Sequence, residues 1–281
     1  MSKIRDLFGV DTGVATTQPW KAIVEAQQCP FLGKRCYKSR KSQPEISIGT
    51  CTVAYGNEPI IICPTRLLER KQVFNDCLHL LTGHQPGNEL HILSEVTVPG
   101  GSIDFVLVSA LDRKVNDFVG IELQTLDTTG TVWPERQRFL HSKGLSVPSA
   151  DIQSVKPYGM NWKMTAKTIL VQLHHKIQTF EHLNKHLVLV IQDRLLAYMR
   201  KEFSFGHLAQ QARISDPMHF HAYSLANTNN GHQIRLAERV STDTAGIAKC
   251  LGLQTEANVE LAMIVATLEA KLSNWTVFTV A

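Results

Sequence analysis

Gly100-Gly101-Ser102-Ile103-Asp104-Phe105-Val106-Leu107-Val108 and Phe118-Val119-Gly120-Ile121-Glu122-Leu123-Gln124-Thr125 are the two stretches that decide the fold. Each is short, rich in Val, Ile, Leu and Phe, and bounded by turn residues, which is typical of a β-strand. Asp104 interrupts the first apolar run, and Glu122 and Gln124 flank Leu123 in the second. Side chains two positions apart share one face of a strand, so Glu122 and Gln124 lie together. If the two strands pair, one carboxylate from each converges beside an amide.

Such a pair of acids has a specific chemistry. Two nearby carboxylates repel each other, which favours a divalent cation between them, and oxygen ligands suit Mg²⁺. The alternative is a surface hairpin whose Asp104 and Glu122 point at water. The spacing alone leaves both interpretations open.

The pattern of an Asp, a gap and then Glu-x-Gln resembles the PD-(D/E)xK nuclease site, with Gln124 in the place that Lys more usually takes. The resemblance implies metal-assisted phosphodiester hydrolysis, in which Asp104 and Glu122 bind Mg²⁺. Gln124 brings no positive charge, but its amide can orient the attacking water or a carboxylate by hydrogen bonds.

Composition and charge set the broad class. Hydrophobic residues make up 43% and charged residues 19% of 281 residues, which is ordinary for a globular protein. No run is long enough to span a membrane, and the start shows no secretory signal, so we expect a cytoplasmic protein with reduced thiols. The net charge of +4 permits a polyanionic partner, and nucleic-acid binding would need local basic patches.

Four of the six cysteines fall close together, at Cys29, Cys36, Cys51 and Cys63. Thiolates that converge are usually held by a tetrahedral zinc or iron ion, whereas four unrelated buried thiols are the alternative. A basic loop at residues 34–41, which includes Cys36, carries five cations. They are Lys34, Arg35, Lys38, Arg40 and Lys41, and they suit either DNA phosphates or a solvated loop that offsets thiolate charge.

The order Cys-Pro-Phe-x-x-x-x-Cys, a basic loop, two further cysteines and then the acidic core resembles the NotI family of type II restriction endonucleases. The resemblance implies one structural iron per chain, where the residues alone leave iron and zinc open. It also implies a homodimer that uses Mg²⁺ to cut both strands of a palindromic, GC-rich double-stranded DNA site. It calls for no membrane and no organic cofactor.

The chain on either side of the acidic core predicts further elements. Apolar residues at helical spacing predict a helix from Thr65 to Leu81, and Leu90 to Val98 reads as a strand that turns at Pro99-Gly100-Gly101. This hairpin places Glu95 roughly across from Asp104, so Glu95 is a candidate third carboxylate, and Glu89 is a weaker one. An exposed, solubilising glutamate is the alternative for either.

The second half predicts a long helix through His182, a buried strand at Leu187–Ile191, strands at 218–225 and 233–240, and a helix at 256–272. His219 and His221 alternate on one strand, and we interpret them as surface residues rather than metal ligands. Cys77 and Cys250 are read as core residues. Additional candidate DNA contacts are Arg136, Arg138 and Lys163.

The sequence therefore predicts an α/β (α+β) fold: a PD-(D/E)xK nuclease core with a mixed central sheet flanked by helices, preceded by a four-cysteine metal-binding knuckle. Residues 1–64 form an N-terminal arm and the cysteine region, and residues 65–281 form the catalytic part of one compact unit. The functional prediction is a type II restriction endonuclease. The alternatives are a non-catalytic metal-knuckle DNA-binding protein and a repair or recombination nuclease of the same fold.

Overall fold

The structure is a computed structural model that describes residues 2–14, 18–228, 231–253 and 261–271, with backbone only at 261–263 and 267. The strands in chain order are β1 (Ile4–Leu7), β2 (Val10–Asp11), β3 (Gln28–Cys29), β4 (Lys34–Arg35), β5 (Ser39–Arg40), β6 (Gln43–Ser47), β7 (Thr50–Tyr55), β8 (Glu58–Ile61), β9 (Glu89–Val98), β10 (Gly101–Leu111), β11 (Lys114–Gln124), β12 (Thr128–Thr129), β13 (Gly159–Met160), β14 (His186–Gln192), β15 (Met218–Thr228) and β16 (Gly231–Thr242). The α-helices are α1 (Trp20–Ala26), α2 (Gln72–Asn75), α3 (Trp133–Ser142), α4 (Ser149–Gln153), α5 (Trp162–His182), α6 (Asp193–Glu202), α7 (Thr244–Cys250) and α8 (Leu261–Glu269).

A six-stranded mixed sheet in the order β16-β15-β14-β11-β10-β9 forms the centre of the fold. Strands β9, β10 and β11 form an antiparallel meander, while β14 runs parallel to both β11 and β15. The parallel step from β11 to β14 passes through α5, because parallel neighbours need a crossover connection. The prediction of a mixed sheet flanked by helices is therefore confirmed.

Helix α5 and strand β14 form as the apolar pattern predicts. Leu170, Leu173 and Ile177 are fully buried on one face of α5, and Leu187 to Ile191 are fully buried along β14. A strand covered on both faces needs a continuous apolar run rather than an alternating one. The predicted strands at 218–225 and 233–240 are likewise present as β15 and β16.

The hairpin between β9 and β10 is tight and packs against α5. Val98 pairs with Gly101, so Pro99 and Gly100 form the two-residue turn. Gly100 has φ +96°, and a Cβ there would lie 2.5 Å from the carbonyl oxygen of His175 on α5. Only glycine supplies this left-handed backbone and this close approach together.

The predicted continuous helix from Thr65 to Leu81 is wrong. The segment consists of a 3₁₀ stretch at Pro64–Lys71, the short α2, and a second 3₁₀ turn at Leu78–Leu80. Arg70 and Lys71 adopt left-handed φ values of 52° and 54°, which ends the first stretch. The break follows from tertiary contacts, since the side chain of Glu69 accepts a hydrogen bond from the main chain of β16.

The N-terminal part of the chain forms a separate four-stranded sheet in the order β2-β1-β7-β8. Gln192 at the end of β14 joins the two sheets, because its side chain bonds to the main chain of Ile61 and Pro59. Arg66 is buried and pairs with Asp6 of β1 at 2.8 Å. One apolar cluster also includes residues from both the N-terminal part and the central sheet. The boundary at residue 64 stays a prediction.

Helix α8 lies within the predicted helix at 256–272; residues 270 and 271 form a turn, and residues 256–260 and 272 fall outside the described residues. Within the described ranges, no helix combines the length and the apolar character that a membrane crossing requires.

Candidate active site and cysteine cluster

Asp104 and Glu122 lie opposite each other on paired central strands. Phe105 of β10 pairs with Ile121 of β11, and the next position outward brings Asp104 across from Glu122. Directly opposed residues of antiparallel strands project from the same face, so both carboxylates converge. The main-chain N–H of Leu123 donates to Asp104 Oδ2 at 2.8 Å and fixes that carboxylate against β11.

Burial raises the pKa of both acids. Glu122 is 5% exposed, and its pKa rises to about 7 because desolvation outweighs the hydrogen bond from Lys176, while the charge of Asp104 adds to the rise. Burial also raises the pKa of Asp104, against the N–H of Leu123 and the charge of Lys176. Two carboxylates withheld from water and repelling each other are stabilised as anions when a cation lies between them.

Lys176 is a site residue that the sequence analysis missed. It lies on α5, and its Nζ donates to Glu122 Oε1 and to the carbonyl oxygen of Ser102, each at 2.6 Å. Both members of the ion pair are nearly inaccessible to solvent. The available signal was a lysine at position 176 within the apolar stripe of Leu173, Ile177 and Phe180.

Two further predicted site residues, Gln124 and Glu95, lie close to the two acids, whereas Glu89 lies further along β9. Gln124 is two positions after Glu122, on the same face of β11, and its amide donates to the Thr125 carbonyl at 2.6 Å. Glu95 falls across from Asp104, between the pairs Val96–Ile103 and Ser94–Phe105, and it is exposed with φ 54°. Its charge contributes to the raised pKa of Asp104. Glu89 lies six residues earlier on β9 and pairs with His91.

A cleft of about 420 Å³ opens beside Asp104. Asp104 and Glu95 line it, as do Lys34 and Tyr37 from the basic loop of the cysteine region. Burial raises the pKa of Tyr37 to about 12, and the charges of Cys63, Cys36, Cys29 and Asp104 add to the rise. The fold therefore brings the basic loop to the edge of the candidate active site.

The four N-terminal cysteines line one small cavity of about 10 Å³, close to the space that one water-sized particle needs. All four are buried. Hydrogen bonding with Cys51 lowers the pKa of Cys63 to about 5 and raises that of Cys51. The thiols also contact neighbours: Cys63 Sγ lies 3.1 Å from Thr65 Oγ1, and Cys51 Sγ donates to the Gly49 carbonyl at 3.5 Å.

Shared lining does not by itself make a metal site. Across the described ranges, no group of three or more His, Cys, Asp or Glu side chains is arranged to hold a metal ion. Cysteine donors suit zinc or iron chemically, and all four line the same buried cavity. The four thiols therefore suit a zinc or iron ion chemically, although the described side chains are not arranged as a complete metal-binding group.

The candidate DNA contacts divide into two groups. Arg136 is 2% exposed, donates to the Ile48 carbonyl at 2.7 Å and stacks on Trp133, and burial lowers its pKa to about 10. This placement favours a structural role over a DNA contact. Four others also bond within the protein: Arg35 to Glu45, Lys38 to Ile62, Arg40 to Asp151, and Arg138 to Glu135. Lys34, Lys41 and Lys163 are exposed.

The interpretation of His219 and His221 as surface residues is wrong. They are 1% and 0% exposed, because β15 is flanked by β14 and β16 and covered on both faces. Burial lowers the pKa of His219 to about 3 and that of His221 well below its usual value. Cys77 and Cys250 are buried, as predicted, and Cys77 Sγ lies 3.8 Å from His221 Nδ1.

A mixed α/β sheet with two converging, desolvated carboxylates on adjacent central strands defines a candidate hydrolase of the metal-assisted class. A family model described as "Restriction endonuclease NotI" matches residues 24–236, which include the four cysteines and every candidate acid. The match covers well over half of the chain, so the chain belongs to the NotI restriction endonuclease family. It is accordingly a DNA-binding, site-specific deoxyribonuclease of type II. A search of curated proteins finds no match.

Proposed function

We propose that this endonuclease is a homodimer that uses Mg²⁺ to cut both strands of a palindromic, GC-rich site in double-stranded DNA. The observations that carry the catalytic part are the positions of Asp104 and Glu122, one residue beyond the Phe105–Ile121 pair of β10 and β11, and the hydrogen bond from Leu123 to Asp104. A twofold dimer presents two equivalent active sites to the two strands of a palindrome, which explains how one chain cuts both.

The donor set around the acids fits a magnesium ion. Asp104 and Glu122 supply hard oxygen ligands, and burial with mutual repulsion disfavours their charged forms unless a cation is present. A bound Mg²⁺ would polarise the scissile phosphate and stabilise developing charge. Glu95, across from Asp104, is the candidate third carboxylate of this site.

Other groups of the protein hold the carboxylates of Asp104 and Glu122 in position. The N–H of Leu123 holds the Asp104 carboxylate, and Lys176 holds that of Glu122. The Gln124 amide nitrogen is engaged by the Thr125 carbonyl, which leaves its side-chain oxygen as the acceptor for an attacking water. Gln124 is neutral, so the positive charge that faces the phosphate comes from other groups.

We propose that Lys34, Lys41 and Lys163 contact DNA phosphates, because they are exposed and Lys34 lines the cleft that contains Asp104. Neutralising each of them singly should weaken binding at all sequences and lower the salt dependence of the binding constant. A lysine whose replacement leaves the salt slope unchanged is not a phosphate contact.

The decisive test is cleavage of plasmid DNA with and without Mg²⁺, followed by mapping of the fragments. Asp104→Ala and Glu122→Ala should each abolish cutting while DNA binding persists, because they remove oxygen ligands and leave the binding surface intact. Glu181→Ala on α5, an exposed glutamate, is the matched control and should cut normally. Continued cutting by Glu122→Ala would reject the site, and a smear instead of discrete fragments would reject site specificity.

We further propose that Cys29, Cys36, Cys51 and Cys63 bind one structural iron or zinc ion, on the basis of their common buried cavity. Elemental analysis of purified protein should give about one metal per chain, and its removal should lower the melting temperature. A lower metal content per chain, together with a melting temperature that chelation does not change, would mean that the four cysteines are core residues.

A further inference from the structure

Lys176 occupies a position that the packing of α5 assigns to an apolar residue. Leu173, Ile177 and Phe180 on the same face are 0%, 0% and 1% exposed, and Lys176 is 7% exposed among them. Lysine is almost never fully buried unless it is paired, because withdrawing an ammonium group from water is costly. A buried lysine in an apolar stripe therefore calls for an explanation from its partners.

Those partners belong to the two strands that carry the acids. The ammonium group donates to Glu122 Oε1 on β11 and to the carbonyl oxygen of Ser102 on β10, each at 2.6 Å. Ser102 lies two residues before Asp104, so Lys176 links the strand of one acid to the carboxylate of the other. These contacts fix the position of Glu122 relative to Asp104.

The hairpin at the start of β10 accommodates this lysine. A Cβ at Gly101 would lie 3.2 Å from Lys176 Cε, and one at Gly100 would lie 3.2 Å from Lys176 Cα. Glycines at both positions let the turn approach the helix at the point where Lys176 leaves it. The packing of α5 against the hairpin thus directs the ammonium group to the two strands.

We propose that Lys176 is a positioning residue for DNA cleavage, which holds the Glu122 carboxylate beside Asp104 in the geometry that binds the catalytic cation. The inference rests on the proposed active site and deepens it. A lysine two residues after Glu122 would supply a positive charge, but that position is the neutral Gln124. Lys176 supplies the charge from α5 instead. The ion pair assigns the buried lysine to catalysis rather than to stability alone.

The structure offers a matched control for stability. Lys185 donates to Asp117 Oδ1, also at 2.6 Å, and Asp117 lies on β11 five residues before Glu122. Replacing Lys185 thus removes a second lysine–carboxylate pair from the same strand without touching Glu122. Any effect that follows only from lost stability should appear in both variants.

The experiment compares Lys176→Gln and Lys185→Gln in single-turnover cleavage of a duplex that contains the mapped site, with Mg²⁺ titrated at saturating enzyme. Lys176→Gln should lower the cleavage rate about 10²-fold, as loss of one preorganised contact does, and should raise the Mg²⁺ concentration for half-maximal rate. Metal-free DNA affinity should stay at the wild-type value. Lys185→Gln should cut at the wild-type rate, and Lys176→Arg should regain most of the lost rate.

Three results would overturn the proposal: wild-type cleavage by folded Lys176→Gln at every Mg²⁺ concentration, equal losses in both glutamine variants, or a lower half-maximal Mg²⁺ concentration in Lys176→Gln. The last would mean that Lys176 competes with the cation. If Lys176→Gln does not fold, Lys176→Met, which fills the same space without N–H groups, is measured in its place and judged by the same outcomes. Glu122→Ala is measured alongside: if it still cuts, the active site itself is wrong, and if only Lys176→Gln cuts normally, this inference alone fails.

Discussion

Acidification should destabilise the protein through the two buried histidines of β15. Burial lowers the pKa of His219 to about 3 and that of His221 well below its usual value. In the unfolded chain a histidine titrates near 6.5, so below that pH the unfolded state binds protons that the folded state does not bind. Their contribution to stability is therefore complete above pH 6.5 and is lost progressively as the pH falls toward 3.

The magnitude follows from the linkage relation. Each neutral buried histidine should make the free energy of unfolding fall by about 1.4 kcal/mol for each pH unit below 6.5. Between pH 6.5 and pH 5 this amounts to roughly 2 kcal/mol for His219, and His221 adds to the fall in the same direction. Asp6 and Glu122 act in the opposite direction, because their pKa values are raised by burial.

Urea denaturation at a series of pH values measures this effect, and the difference between variant and wild type isolates the histidines from the two acids. His219→Phe should reduce the pH dependence by about 1.4 kcal/mol per unit, since phenylalanine does not titrate. His141→Phe replaces an exposed histidine of α3 and should leave the slope unchanged. Equal slopes for His219→Phe and wild type would refute the assignment of a neutral, buried His219.

Three further changes test other parts of the structure. Gly100→Ala should lower the free energy of unfolding by about 1–3 kcal/mol and slow cleavage, because residue 100 has a left-handed φ and a Cβ there would contact α5. Thermal melting and cleavage assays measure the two effects. An unchanged melting temperature would contradict the prediction. Arg66→Met should lower the free energy of unfolding, measured by urea denaturation, by about 3–5 kcal/mol, since it leaves Asp6 buried without its partner. An unchanged free energy of unfolding would mean that Asp6 is solvated or protonated. Asp117→Asn should destabilise the protein at pH 7, and the difference from wild type should shrink only as the pH falls below about 4, because Lys185 holds the pKa of Asp117 below its usual value. A difference that persists at low pH would show that the loss comes from packing.

The local elements of the candidate active site were accessible from the sequence. Strands β10 and β11 follow from runs of β-formers bounded by turns, and the sequence predicts that Asp104 and Glu122 converge if these strands pair, as they do. The turn at Gly100 places Glu95 across from Asp104 by counting residues along the hairpin. Such contacts depend on neighbours along the chain, which the period of a strand and the chemistry of a turn determine.

Other features were decided by elements far away in sequence. Lys176 lies 54 positions after Glu122, and no local pattern pairs the two residues before α5 packs on the sheet. Likewise, His219 is buried because β14 and β16 flank its strand, and the predicted helix from Thr65 breaks where Glu69 bonds to β16. The sequence by itself determined the strands, the turn and the acids they carry, because hydrophobic period and backbone preference act over a few residues. Only the tertiary structure decided burial, ion pairing and the ammonium group beside the candidate active-site acids, because these depend on which distant surfaces exclude water together.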